Sequence, residues 1–154
     1  MNYCGIDFGT SNSALSYAAD GRVRLAHLED EEITIPSALF YPVKRSPVFG
    51  RHAQQMFTAG EDGRYMRSLK RILGSEFISE GTVVNKERTS FDRTLSLFIS
   101  YMKEKAEQQS KQGLINVVVG RPVHFVDFDP DADRRAHNEL ENIARLSGFK
   151  NVEF

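Results

Sequence analysis

The chain has 154 residues, 40% of them hydrophobic and 27% charged, with a formal net charge of -1. That is the composition of one soluble globular domain or two small lobes, and the near-neutral charge argues against a general nucleic-acid or anionic-membrane surface. No apolar run approaches the ~20 residues of a spanning helix, the amino end lacks a secretory signal, and the single Cys4 can form neither an internal disulfide nor a zinc site alone, so a cytoplasmic protein is predicted.

The first informative stretch runs from Cys4 to Tyr17. An apolar run reaches Asp7, a Gly9-Thr10-Ser11-Asn12-Ser13 turn follows, and alternation resumes with Ala14, Leu15 and Tyr17. Strand, polar turn and strand predict a β-hairpin, with Cys4 a small buried hydrophobe in its first strand. Gly9 allows close backbone approach, while the hydroxyls of Thr10, Ser11 and Ser13 and the turn amides form a concavity of donors suited to phosphate. Asp7 repels a bare phosphate, so its role beside one is to hold a hydrated Mg²⁺. The same residues also suit an ordinary polar turn, and no P-loop pattern is present.

Further along, Asp20-Gly21 signals a tight turn, and residues 23–28 alternate as a third antiparallel strand. Residues 29–32 read as a solvated acidic tip. Residues 33–42 are β-prone but broken by Pro36, which predicts a chain leaving one sheet for another element. Val48 to Arg51 reads as a short strand and turn. Residues 52–59 have helical spacing, with Ala53, Met56 and Phe57 on one face. Arg64, Arg67, Lys70 and Arg71 form a basic segment, which by count alone suits a solvated face.

Residues 91–112 form the longest helical pattern, with Leu95, Phe98, Ile99 and Met102 as its stripe, Ser90 as its cap and Gly113 as its stop. Residues 114–123 are rich in β-branched side chains and predict a central strand covered on both faces. Asp127, Asp129, Asp131 and Asp133 lack the glycine and closing glutamate of a calcium loop and read as a helix amino-terminal cluster. The helix runs over 131–147 with Ala136, Leu140, Ile143, Ala144 and Leu146 inward, Gly148 stops it, and a last strand begins at 149.

Gly5-Ile6-Asp7-Phe8-Gly9-Thr10-Ser11-Asn12-Ser13 resembles the first phosphate motif of the Hsp70 family, within the actin, sugar-kinase and Hsp70 superfamily of ATPases. Ile35-Pro36-Ser37 is similar to that family's Thr-Pro-Ser, and Leu69-Lys70-Arg71-Ile72-Leu73-Gly74 to its Lys-Arg-Leu-Ile-Gly. Val119 to Phe125 resembles Val-Thr-Val-Pro-Ala-Tyr-Phe, departing at Arg121 and at His124, which is read as a partly buried, hydrogen-bonded histidine. These departures make the chain similar to the divergent bacterial YegD-type members.

The resemblance implies an α/β fold: a ribonuclease-H-like, actin-like ATPase core with a mixed sheet from residues 1–34 and 114–154. A smaller α+β subdomain, residues 35–113, is inserted, and the long helix braces the two. It implies ATP or ADP and Mg as cofactors. Gly9, Thr10, Ser11 and Asn12 would bind phosphate, and Asp7 would act on Mg through water. Lys70 would reach across the cleft to the phosphates and the attacking water, where a compact ammonium suits charge developing on the γ-phosphoryl group. The chain would be the first lobe of a slow Mg-dependent ATPase domain of a chaperone, inactive alone. The longer protein would take nucleotide and, beyond it, unfolded polypeptide or co-chaperones, with no nucleic acid or membrane partner. A small-molecule kinase and a non-catalytic actin-like scaffold are the alternatives.

Overall fold

In the computed structural model, described for residues 2–75, 78, 80–122 and 124–154, the chain opens with an antiparallel meander. Its strands are β1 (Tyr3–Phe8), β2 (Asn12–Ala19) and β3 (Arg22–Leu25). Cys4 pairs with Tyr17 and Phe8 with Ser13, so the predicted hairpin is present in register. Asp20 and Gly21 both take positive φ, 52° and 71°, the two-residue turn that matches strand twist. The third strand stops at Leu25, short of the alternation seen in the sequence, because Ala26 and Leu28 turn inward and are fully buried.

β4 (Thr34–Pro36) pairs with β2, and at Ser37 the chain leaves that sheet. β5 (Ala38–Pro42) lies between β6 (Val48–Phe49) and β7 (Gly63–Arg67), with α1 (Gly50–Thr58) packed on it. A 3-10 turn (Leu69–Ile72) and a hairpin of β8 (Thr82–Val84) and β9 (Glu87–Thr89) follow. The long helix α2 (Phe91–Ser110) packs on β2 and on α3 (Pro130–Leu146). β10 (Asn116–Gly120) runs parallel to β1, and β11 (Asn151–Glu153) parallel to β10. The main sheet is therefore mixed, in the order β11-β10-β1-β2-β3, with β4 also on β2.

One face of this sheet makes the core. Ile6, Phe8, Leu15, Val117 and Val119 meet Leu95, Phe98 and Met102 of α2 and Leu140 and Ile143 of α3. Phe8 and Phe98 sit 6.1 Å apart in a tilted ring pair. Each such side chain contributes about 1.5–3 kcal/mol by leaving water. The opposite face of β10 is open: Val118 is 41% exposed, so the strand expected to be covered on both sides is covered on one. A run of β-branched residues suits either environment, and only the placement of the helices distinguishes them.

Other local readings change for tertiary reasons. Lys111, at φ 57°, closes α2 in place of Gly113. Leu146 and Phe57 are exposed, and Phe57 stacks on Tyr65 at 4.5 Å. His124 is also exposed. Glu29 is more than a solvated tip, because it accepts from Arg51 N at 2.7 Å and Arg51 Nη1 at 2.6 Å, supplying the α1 terminus with the cap that Phe49 lacks. Among the described residues, no helix is long and apolar enough to cross a membrane.

Candidate functional site

Alternation along β1 buries Cys4, Ile6 and Phe8 and turns Asp7 outward, at the end where β1 and β10 finish side by side. Asp7 pairs with Gly120, which carries no side chain to crowd it. Burial pushes the Cys4 thiol up to about 12, which suits packing and not nucleophilic chemistry.

The turn after β1 is held from behind. Ser37 Oγ donates to Gly9 O at 2.7 Å, and Ser37 N donates to Ser11 O at 2.9 Å. Ser13 Oγ lies 2.8 Å from Ser37 Oγ, and since Ser37 spends its one hydroxyl proton on Gly9, Ser13 is the donor of that pair. Both hydroxyls are buried. Gly9 and Ser11 thus engage their carbonyls, and among the described residues no protein acceptor meets the Thr10 or Ser11 amide. A Cβ on Gly9 would stand 2.0 Å from Asn12 O, so only glycine permits the bend. Thr10 is half-buried, and Ser11 and Asn12 are exposed.

Lys70 comes from the 3-10 turn. Burial lowers its pKa, and the Asp7 carboxylate opposes that shift, so the two charges lie within each other's field. The ammonium sits 5.7 Å from the Phe125 ring centroid. Arg121 covers the same ring at 5.3 Å. It also donates to Asp133 Oδ2 at 3.4 Å and contacts His137 Nδ1 at 3.1 Å, so the basic departure before Pro122 ties the end of β10 to α3. Asp129 caps that helix through Asp131 N and Ala132 N, which accounts for one member of the aspartate cluster. Asp133 Oδ1 accepts from Phe125 N at 2.5 Å, and this bond first of all holds its pKa below the ordinary range. No group of three or more metal-ligating side chains occurs among the described residues.

The fold thus sets Asp7 beside the 9–12 turn and brings the Lys70 ammonium, from a distant stretch of sequence, within range of the Asp7 charge. A family model described as Hsp70 protein matches residues 3–152. The chain belongs to the Hsp70 family. Its curated relatives include the "Chaperone protein HscA homolog" of Rickettsia rickettsii (strain Sheila Smith), 26% identical over 95% of this chain and 25% of the relative. The "Chaperone protein DnaK" of Metamycoplasma hominis is 24% identical over 86% of this chain and 21% of its own length. The chain therefore spans about a quarter of the length of these Hsp70 relatives. The chaperone names favour neither the kinase nor the scaffold alternative.

The Ser13 hydroxyl, expected to face a phosphate, is instead buried and bonded to Ser37, and the motifs alone do not mark Ser37, Asp133 or Glu139 as supports. A signal existed for Ser13: it falls in step with Leu15 and Tyr17 on the buried face of β2, and a hydroxyl there must find a partner.

Proposed function

We propose that this chain is the amino-terminal lobe of an Hsp70-like ATP-binding domain that hydrolyses ATP slowly in a chaperone. The observation that carries the reading is the outward Asp7 beside the donor-lined 9–12 turn, with the Lys70 ammonium within the field of that carboxylate. The Thr10 and Ser11 amides, which no protein acceptor meets among the described residues, the hydroxyls of Thr10 and Ser11 and the outward carboxylate of Asp7 fit a polyphosphate with its Mg²⁺. Gly9, Thr10, Ser11 and Asn12 bind the phosphates and fix their orientation. Asp7 would hold a water of the metal shell, and Lys70 would place its positive charge where negative charge builds up on the γ-phosphoryl oxygens. The bound metal would supply further neutralisation of that charge.

The same reading divides the chain into a ribonuclease-H-like core of residues 1–34 and 114–154 and an inserted lobe of 35–113. The meander followed by two parallel strands supports the first assignment, and the separate β6-β5-β7 sheet supports the second. α2 packs on β2 and α3 of the core and reaches the inserted sheet through the Tyr41–Thr94 hydrogen bond at 3.0 Å and the Phe49–Tyr101 stack at 4.6 Å, which supports its place as a brace between them. Nucleotide is the partner of this lobe, and unfolded polypeptide and co-chaperones are partners of the longer protein.

Calorimetry with Mg-ADP on the full-length protein tests the reading: binding heat is expected, with a large loss of affinity in Asp7→Ala. Absent heat, or equal affinity in the variant, rejects it. The 154-residue chain by itself is expected to turn over negligible ATP, and turnover equal to the intact protein would contradict the single-lobe assignment.

A further inference from the structure

The turn that carries Lys70 has few means of its own to hold position. It is four residues long, opens at Ser68 with φ 54° and no side-chain cap, and closes at Leu73 in extended backbone. Short 3-10 segments have poor internal hydrogen-bond geometry. Leu69 and Leu73 anchor it in the core, and Ile72 packs against the same cluster.

Its carboxyl end is seated on α3. Gly74 N donates to Glu139 Oε2 at 2.7 Å. A Cβ on Gly74, whose φ is 78°, would come within 3.0 Å of Ala132 O, 3.1 Å of Val126 Cγ2 and 3.2 Å of Ala136 Cβ. Ala132, Ala136 and Glu139 share one face of α3, at spacings of four and three. Two small side chains let the backbone of the turn press against the helix, and a carboxylate one turn on receives its amide. Burial pushes Glu139 above the usual carboxylate range, while the Gly74 amide and Arg135 pull it back. A half-buried acid is costly in that place unless it has this bond to make.

We propose that Glu139 is a positioning residue for Lys70, fixing through Gly74 N–H the rotation of the 3-10 turn that keeps the ammonium over the Phe125 ring. The inference rests on the role given to Lys70 above. Glu139 reaches no phosphate; it acts through the backbone of Gly74.

The test is single-turnover hydrolysis of Mg-ATP by the full-length protein, with ATP affinity measured separately. Glu139→Ala is expected to slow hydrolysis about 10-fold, as small misplacements do, with affinity held within about twofold. Glu139→Gln keeps an oxygen acceptor for Gly74 N–H and is expected to return the rate to within about twofold of the parent. In a Lys70→Ala background, Glu139→Ala should cost nothing further, because the two act as one unit. A parental rate in Glu139→Ala overturns the proposal, as does a loss that persists in Glu139→Gln or adds to that of Lys70→Ala. Should Glu139→Ala not fold, Glu139→Asp, which withdraws the acceptor by one methylene, replaces it with the same expectations. A parental rate in Lys70→Ala sinks the underlying reading instead, and this inference with it.

Discussion

Between Phe8 and Asn12 the chain turns inside a ladder: β1 and β2 pair on both sides of the bend, and Ser37 bonds to Gly9 O and Ser11 O from behind. Between Ser68 and Gly74 it turns without one. There the support comes from α3, through Glu139 on Gly74 N and Asp133 on Phe125 N beneath the ammonium. One turn is built by strand pairing and by Ser37, 28 residues from Gly9, and the other by a helix whose Glu139 lies 65 residues beyond Gly74. A turn inside a ladder is rigid by local pairing; a turn seated on a helix follows that helix. Damage to the first should therefore appear in binding and stability together, and damage to the second chiefly in turnover.

The sharpest way to break this contrast is Gly9→Ala. Its methyl would overlap Asn12 O, and the expected cost is about 3 kcal/mol in urea unfolding, with loss of the Mg-ADP heat. A variant that folds and binds like the parent would show that the bend is not set by this contact. Ser37→Ala comes next. It strips the donor from Gly9 O and the acceptor from Ser13, for about 1–3 kcal/mol, and nucleotide affinity should fall in step.

Gly74→Ala is expected to cost about 1 kcal/mol, since a side chain at φ 78° is strained and its neighbours on α3 are close. Here the contrast predicts slower hydrolysis with nearly unchanged affinity, read by single-turnover kinetics against calorimetry. Equal losses in both would place the second turn in the binding site proper.

The smallest effect belongs to Asp133. Its pKa is held below the ordinary 3.8, chiefly by the Phe125 amide. Such a group adds stability that is present above the ordinary value and lost as pH falls through the lower, folded one. Asp133→Asn should melt earlier than the parent at pH 7, and the two curves should converge in acid. A constant gap across that range would mean that the hydrogen bond matters and the charge does not.

The hairpin, α2 and α3 are legible because each is written in short-range pattern: Asp20-Gly21, the Leu95–Met102 stripe, and the aspartate cluster ahead of the Ala136–Leu140–Ile143 stripe. The break at Pro36 was legible for the same reason, since proline cannot continue the ladder. Leu146, Phe57 and Val118 were not, because apolarity states a preference for burial and cannot name what covers the residue. Glu29 looked like solvated charge until Arg51 and the bare end of α1 were brought to it.

By itself, then, the sequence determined the family and the turn at Gly9, since the motif and its conformation are contained in a few adjacent residues whose backbone limits are intrinsic. Only the tertiary structure decided that Lys70 sits over Phe125 within the field of Asp7 and that Glu139 seats the turn beneath it. Those relations join residues tens of positions apart, and no local propensity encodes the direction in which a 3-10 turn points; the packing of α3 against it does.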